Sequence, residues 1–66
     1  MTFTAFRQHC LAYTQRTGQP VRNIWLTVEA WEQLRQDAGE RATREVKGPR
    51  LPRNQFALLG VVVAKR

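Results

Sequence analysis

VRNIWLTVEAWEQLRQDAG, residues 21–39, holds two periodicities side by side, and the switch between them decides the fold. Over VRNIWLT the side chains alternate as they would on a strand. Arg22, Ile24 and Leu26 fall on one face, and Val21, Asn23, Trp25 and Thr27 on the other. From Thr27 onward the apolar residues recur at helical spacing, with Val28, Trp31, Leu34 and Ala38 forming a stripe. Thr27 suits an N-cap, Glu29 and Glu32 lie near the positive end of the helix dipole, and Gly39 closes the segment. With that cap, Leu26 and Trp31 take the two positions of a hydrophobic staple.

The flanks extend this strand-then-helix reading into a domain. Upstream, TFTAFRQHCLAYTQRTGQP brings Phe3, Phe6, Cys10 and Tyr13 onto one helical face, with Thr2 as cap, Gly18 as stop signal and Pro20 beyond it. Downstream, Phe56 to Ala64 is continuously apolar and β-branched at its end, the pattern of a strand covered on both faces. Gly60 in its middle predicts a bulge, or a bend between two short strands. The expected fold is α+β: one domain over residues 1–66, an N-terminal helix and then a β-α-β unit with a two- or three-stranded sheet. TREVK is a candidate edge strand, hairpinning through GPRLPRN.

A chain of 66 residues builds a thin core, since a domain of this size buries only about 60% of its unfolded surface. Cys10 is the only cysteine and His9 the only histidine, which excludes an internal disulfide and a Cys/His zinc cage. Self-association is therefore one expected route to stability. The lone thiol and the absence of a charged-then-apolar leader predict a cytoplasmic protein, and no apolar run is long enough to span a bilayer.

The chemistry of catalysis is missing. There is no serine, and Cys10 and His9 sit about 100° apart around one helix, too far to act as nucleophile and base. Glu29 and Glu32, at i and i+3, read as a solvated first turn. The four glycines are scattered and form no phosphate loop. The expectation is a protein that is not an enzyme, with no catalytic residue, cofactor or metal.

Charge is the strongest functional signal. The net charge is +6, but an acidic segment holding Glu29, Glu32, Asp37 and Glu40 separates two basic ones. Nucleic acid or an acidic protein surface is the partner such a balance suggests. RATREVKGPRLPR, residues 41–53, sets Arg41, Arg44, Lys47, Arg50 and Arg53 at every third position. A strand would scatter these over both faces, and Pro49 and Pro52 forbid a helix. A polyproline-like edge unites Lys47, Arg50 and Arg53. Trp25 is the unassigned aromatic. Its side of the strand is covered by the first helix, by another chain, or by nothing; if open, it is an anchor for a protein or a base.

IWLTVEAWEQLRQDAG followed by FALLGVVVAK resembles short phage and prophage proteins in which an apolar strand enters a Thr- or Ser-capped helix and the chain closes on an apolar-Gly-Val strand. Val62 stands where those chains usually carry proline. The resemblance implies an accessory factor, of which anti-CRISPR proteins are a well-known group that inhibits by occupying a surface of a host defence nucleoprotein complex. It assigns no functional residue. The expected partner is then a host protein or nucleoprotein complex in the host cytoplasm, met by Trp25, by Glu29 and Glu32, or by the basic residues of 41–53. The alternatives are a basic, sequence-nonspecific DNA- or RNA-binding module and an oligomeric assembly subunit, none with a membrane role.

Overall fold

The computed structural model describes residues 1–45, 48 and 50–66. In order come helix α1 (Phe3–Thr17), strand β1 (Asn23–Leu26), helix α2 (Val28–Ala38), a 3-10 turn (Gly39–Arg41), strand β2 (Gln55–Leu58) and strand β3 (Val61–Lys65). The sheet has three strands in the order β1-β3-β2. β3 is central, parallel to β1 with Asn23 opposite Val62 and antiparallel to β2 with Leu58 opposite Val61. The chain is thus an α+β domain whose β1-α2-β3 crossover carries β2 within it.

Both helices begin where the sequence places their caps. The Thr2 hydroxyl accepts from the Ala5 N–H at 3.1 Å, and Thr27 accepts from Ala30 at 3.2 Å. α1 ends at Gly18, whose φ of 72° is the left-handed geometry that glycine adopts without strain. The two helices are tied at one end, where the Asp37 carboxylate of α2 accepts the Phe3 N–H at 2.7 Å. This contact satisfies a donor that a first helical turn leaves without a partner.

The core lies between the helices and one face of the sheet. Phe6, Leu34, Phe56, Leu58 and Val63 are fully buried, and Trp31 and Ala38 nearly so. Ile24 and Leu26 pack against this cluster from β1, and Phe3 and Cys10 from α1. The Trp31 ring meets Phe56 at 5.1 Å with a tilt of 57°, a geometry that aromatic quadrupoles favour. Val28 departs from the predicted stripe. It is 48% exposed, because the first residue of α2 sits beyond the rim of the core.

The closing apolar run bends at Gly60 into two short strands, as expected, but is not covered on both faces. It is a β-hairpin, turning at Leu59 (φ 52°) and Gly60 (φ 78°), and positive φ at both turn residues suits the twist of a two-residue connection. Alternation then sends Phe56, Leu58, Val61 and Val63 into the core while Ala57 and Val62 face outward, half-buried. The segment before β2 folds back on itself more loosely. Thr43 bridges Ala57 on β2 and Glu45 bridges Arg50, so the described part of the predicted edge strand TREVK makes isolated bridges, Val46 and Lys47 lying outside the described residues.

Candidate functional site

Both helices contribute to the core on one face of the sheet, and Trp25 points to the other. No described helix covers the opposite face. Strand alternation and register place Asn23 and Trp25 of β1, Val62 and Ala64 of β3, and Gln55 and Ala57 of β2 on it. Thr43 extends it through its bridge to Ala57. Trp25 is 57% exposed, whereas Ala64, flanked in register by Trp25 and Gln55, is only 3% exposed. Small side chains thus form a low floor with one aromatic ring standing at its side.

None of the strand residues on this face is acidic, and β3 ends in a basic residue. The Arg66 N–H donates to the Leu26 carbonyl at 3.2 Å, which carries the β3 pairing one residue further. The period of two then puts the Arg66 side chain on the same face as Val62 and Ala64. Across from it, the Asn54 carbonyl accepts from the Lys65 N–H at 3.0 Å, so the exposed Arg53 enters β2 at the same end. Trp25 lies one row in from Arg66, while Arg53 sits in the turn that the Gln55 N–H closes onto the Pro52 carbonyl at 3.0 Å just before β2.

The other basic residues singled out in the sequence are not gathered here. Arg41 sits over the Phe3 ring at 5.0 Å, a cation–π contact at the start of α1. Arg44 is half-buried, and its Nη2 donates to the Leu51 carbonyl at 3.0 Å while the Leu51 N–H donates back to the Arg44 carbonyl at 2.7 Å. Its Nε is buried with no partner among the described residues. Arg50 is exposed beside Glu45. Lys47 lies outside the described residues, so the polyproline-like ridge of Lys47, Arg50 and Arg53 is not part of this description. Fold-back of the segment removes Arg41 and Arg44 from any such ridge.

The acidic helix is largely turned to internal use. Glu32 pairs with Lys65 at 3.4 Å, the single ion pair among the described residues, and the Lys65 ammonium also lies 4.3 Å from the centre of the Trp31 ring. Asp37 caps α1 and stays exposed, as do Glu29 and Glu40. The described residues contain no group of three or more His, Cys, Asp or Glu placed to hold a metal ion, and Glu29 and Glu32 do not form one.

A second surface feature is a shallow cleft of about 490 Å³ between α1 and the tip of the hairpin. Leu11 and Leu59, 59% and 60% exposed, dominate it, with Arg7 and Cys10 at its walls. Burial pushes the Cys10 thiol up from its ordinary value, which suppresses the thiolate a nucleophile needs, and His9 is exposed on the next position. Among the described residues, no helix is long and apolar enough to cross a membrane.

Sequence reasoning missed Arg66, Leu11, Leu59 and the outward side of β3. For β3 the missing signal was strand alternation, hidden because Val62 and Ala64 are apolar although they face out. Comparison with known proteins gives no match, whether with family models, curated proteins or solved structures.

Proposed function

We propose that this protein is a non-enzymatic binding module that engages single-stranded nucleic acid across its open sheet face. The observation that carries the reading is Trp25, 57% exposed on a sheet face whose strand residues include no acid, with Arg66 at its end and the exposed Arg53 in the adjoining turn. Folding leaves such a ring in water at a cost, and every base offers a π-face to cover it. The basic end supplies phosphate contacts, and most of the +6 net charge has no acidic partner among the described residues. A helix displaying carboxylates in imitation of DNA is less favoured, because Glu32 and Asp37 are engaged within the fold.

Fluorescence polarisation with a labelled single-stranded oligonucleotide tests this reading. Binding should weaken steeply as salt rises, and Trp25→Ala should weaken it about tenfold, as loss of one stacked base implies. Equal affinity of Trp25→Ala and the parent chain would refute the stacking role.

The second reading is an anti-CRISPR-like inhibitor that occupies a surface of a host defence nucleoprotein complex. The cleft between Leu11 and Leu59 favours it, since an exposed apolar pair suits a protein surface better than a phosphate backbone. On that reading the Trp25 face meets the nucleic acid of the complex and the cleft meets its protein. Paired substitution of Leu11 and Leu59 by glutamine would then abolish inhibition while leaving oligonucleotide binding intact.

A further inference from the structure

The two edges of the sheet are unlike. The β2 edge is met by Thr43, whose N–H donates to the Ala57 carbonyl at 3.0 Å and whose carbonyl accepts from the Ala57 N–H at 2.6 Å. Among the described residues the β1 edge is bare. Val62 donates to the Arg22 carbonyl and Arg66 to that of Leu26, so the even-numbered residues turn their main-chain groups toward β3. In a parallel ladder the alternate residues, Asn23 and Trp25, then turn theirs outward, where no described strand or bridge meets them. Natural edges are usually blunted by charge, proline or a bulge, and Asn-Ile-Trp-Leu has no charge and no proline.

We propose that two copies of this chain associate through antiparallel pairing of their β1 edges. One register uses every outward group. Asn23 of each copy pairs with Trp25 of the other, giving four main-chain hydrogen bonds, with the Ile24 residues facing each other on the two-fold axis. The three-stranded sheet becomes a continuous six-stranded one. All helices stay on one side and both open faces on the other, with the two Trp25 rings diagonal across the seam at about 7–8 Å.

Charge complementarity supports a second copy as the occupant. Antiparallel pairing lays the start of one β1 beside the end of the other. On the helix side of the sheet, Arg22 of one copy then approaches Glu29 in the first turn of the other's α2. Arg22 and Glu29 are both exposed, and symmetry forms the pair twice. Exposed Val28 follows β1 at the same end. A strand of this length with those side chains covers on the order of 1,000 Å² in total, the low end for a specific interface, so the dimer is weak.

The test is sedimentation equilibrium from about 1 µM to about 1 mM, spanning the affinities expected of such an interface. No nucleic acid is present, so the outcome is independent of the binding reading above. The mass should rise from monomer to dimer. Arg22→Glu and Glu29→Arg should each weaken association at least about tenfold, and the double exchange should restore it. Asn23→Pro, at a strand-initial position whose N–H points outward, should keep the circular dichroism of the parent and remain monomeric. A monomer mass throughout the range would overturn the proposal, as would a dimer indifferent to Asn23→Pro in a folded variant.

Discussion

The indole N–H of Trp31 donates to the main-chain carbonyl of Val63 at 3.0 Å, joining the middle of α2 to the central strand. Through it the helix reads the register of the sheet, because a shift of β3 by one residue would remove the acceptor and turn Val63 outward. Trp31→Phe keeps most of the ring but loses the donor. The expected cost is about 1–2 kcal/mol in urea denaturation, with an unchanged m-value.

A second tie joins the helices. Asp37→Ala removes the acceptor for the Phe3 N–H, and the expected loss is about 1 kcal/mol, the usual worth of a cap. Hydrogen exchange should locate the effect, with the first turn of α1 losing protection before the sheet does.

Leu59 is an apolar side chain at a left-handed turn position, with φ 52° and 60% exposure. Asparagine tolerates this geometry better, so Leu59→Asn should raise stability by about 0.5–1 kcal/mol in the same denaturation experiment. That leucine stands there at a conformational cost is consistent with the cleft serving a partner.

Cys10 gives a pH dependence with a definite sign. Burial raises its folded-state value above the unfolded one near 9.0, so the folded chain holds the proton more tightly. The linked stability is fully present below the unfolded value and declines as pH rises through the folded one. Alkylation by iodoacetamide at neutral pH should accordingly be slower in the folded chain than in urea.

The helices were legible from the sequence because their stop and start signals are local. Thr2, Thr27 and Gly18 each act within one turn of their own position, and each does what its residue type favours. The staple positions Leu26 and Trp31 were equally plain. The break at Gly60 was legible as a bend between two short strands; its tight two-residue geometry was not, because Leu59-Gly60 lacks the asparagine that usually marks such a turn. The unbroken apolarity of the run hid the open face, since it reads as strand covered on both sides. The site suffered most from the basic segment: its period of three was visible, but its fold-back, with Arg44 bonded to Leu51, depends on tertiary pairing that spacing cannot show.

Nuclear magnetic resonance of the two indole N–H groups tests the central claim most directly. A single-stranded oligonucleotide added at low salt should shift the Trp25 resonance, while that of Trp31, buried and bonded to Val63, stays in place. If the oligonucleotide binds and Trp25 does not move, or if nothing binds at low salt, the open sheet face is not the nucleic-acid site.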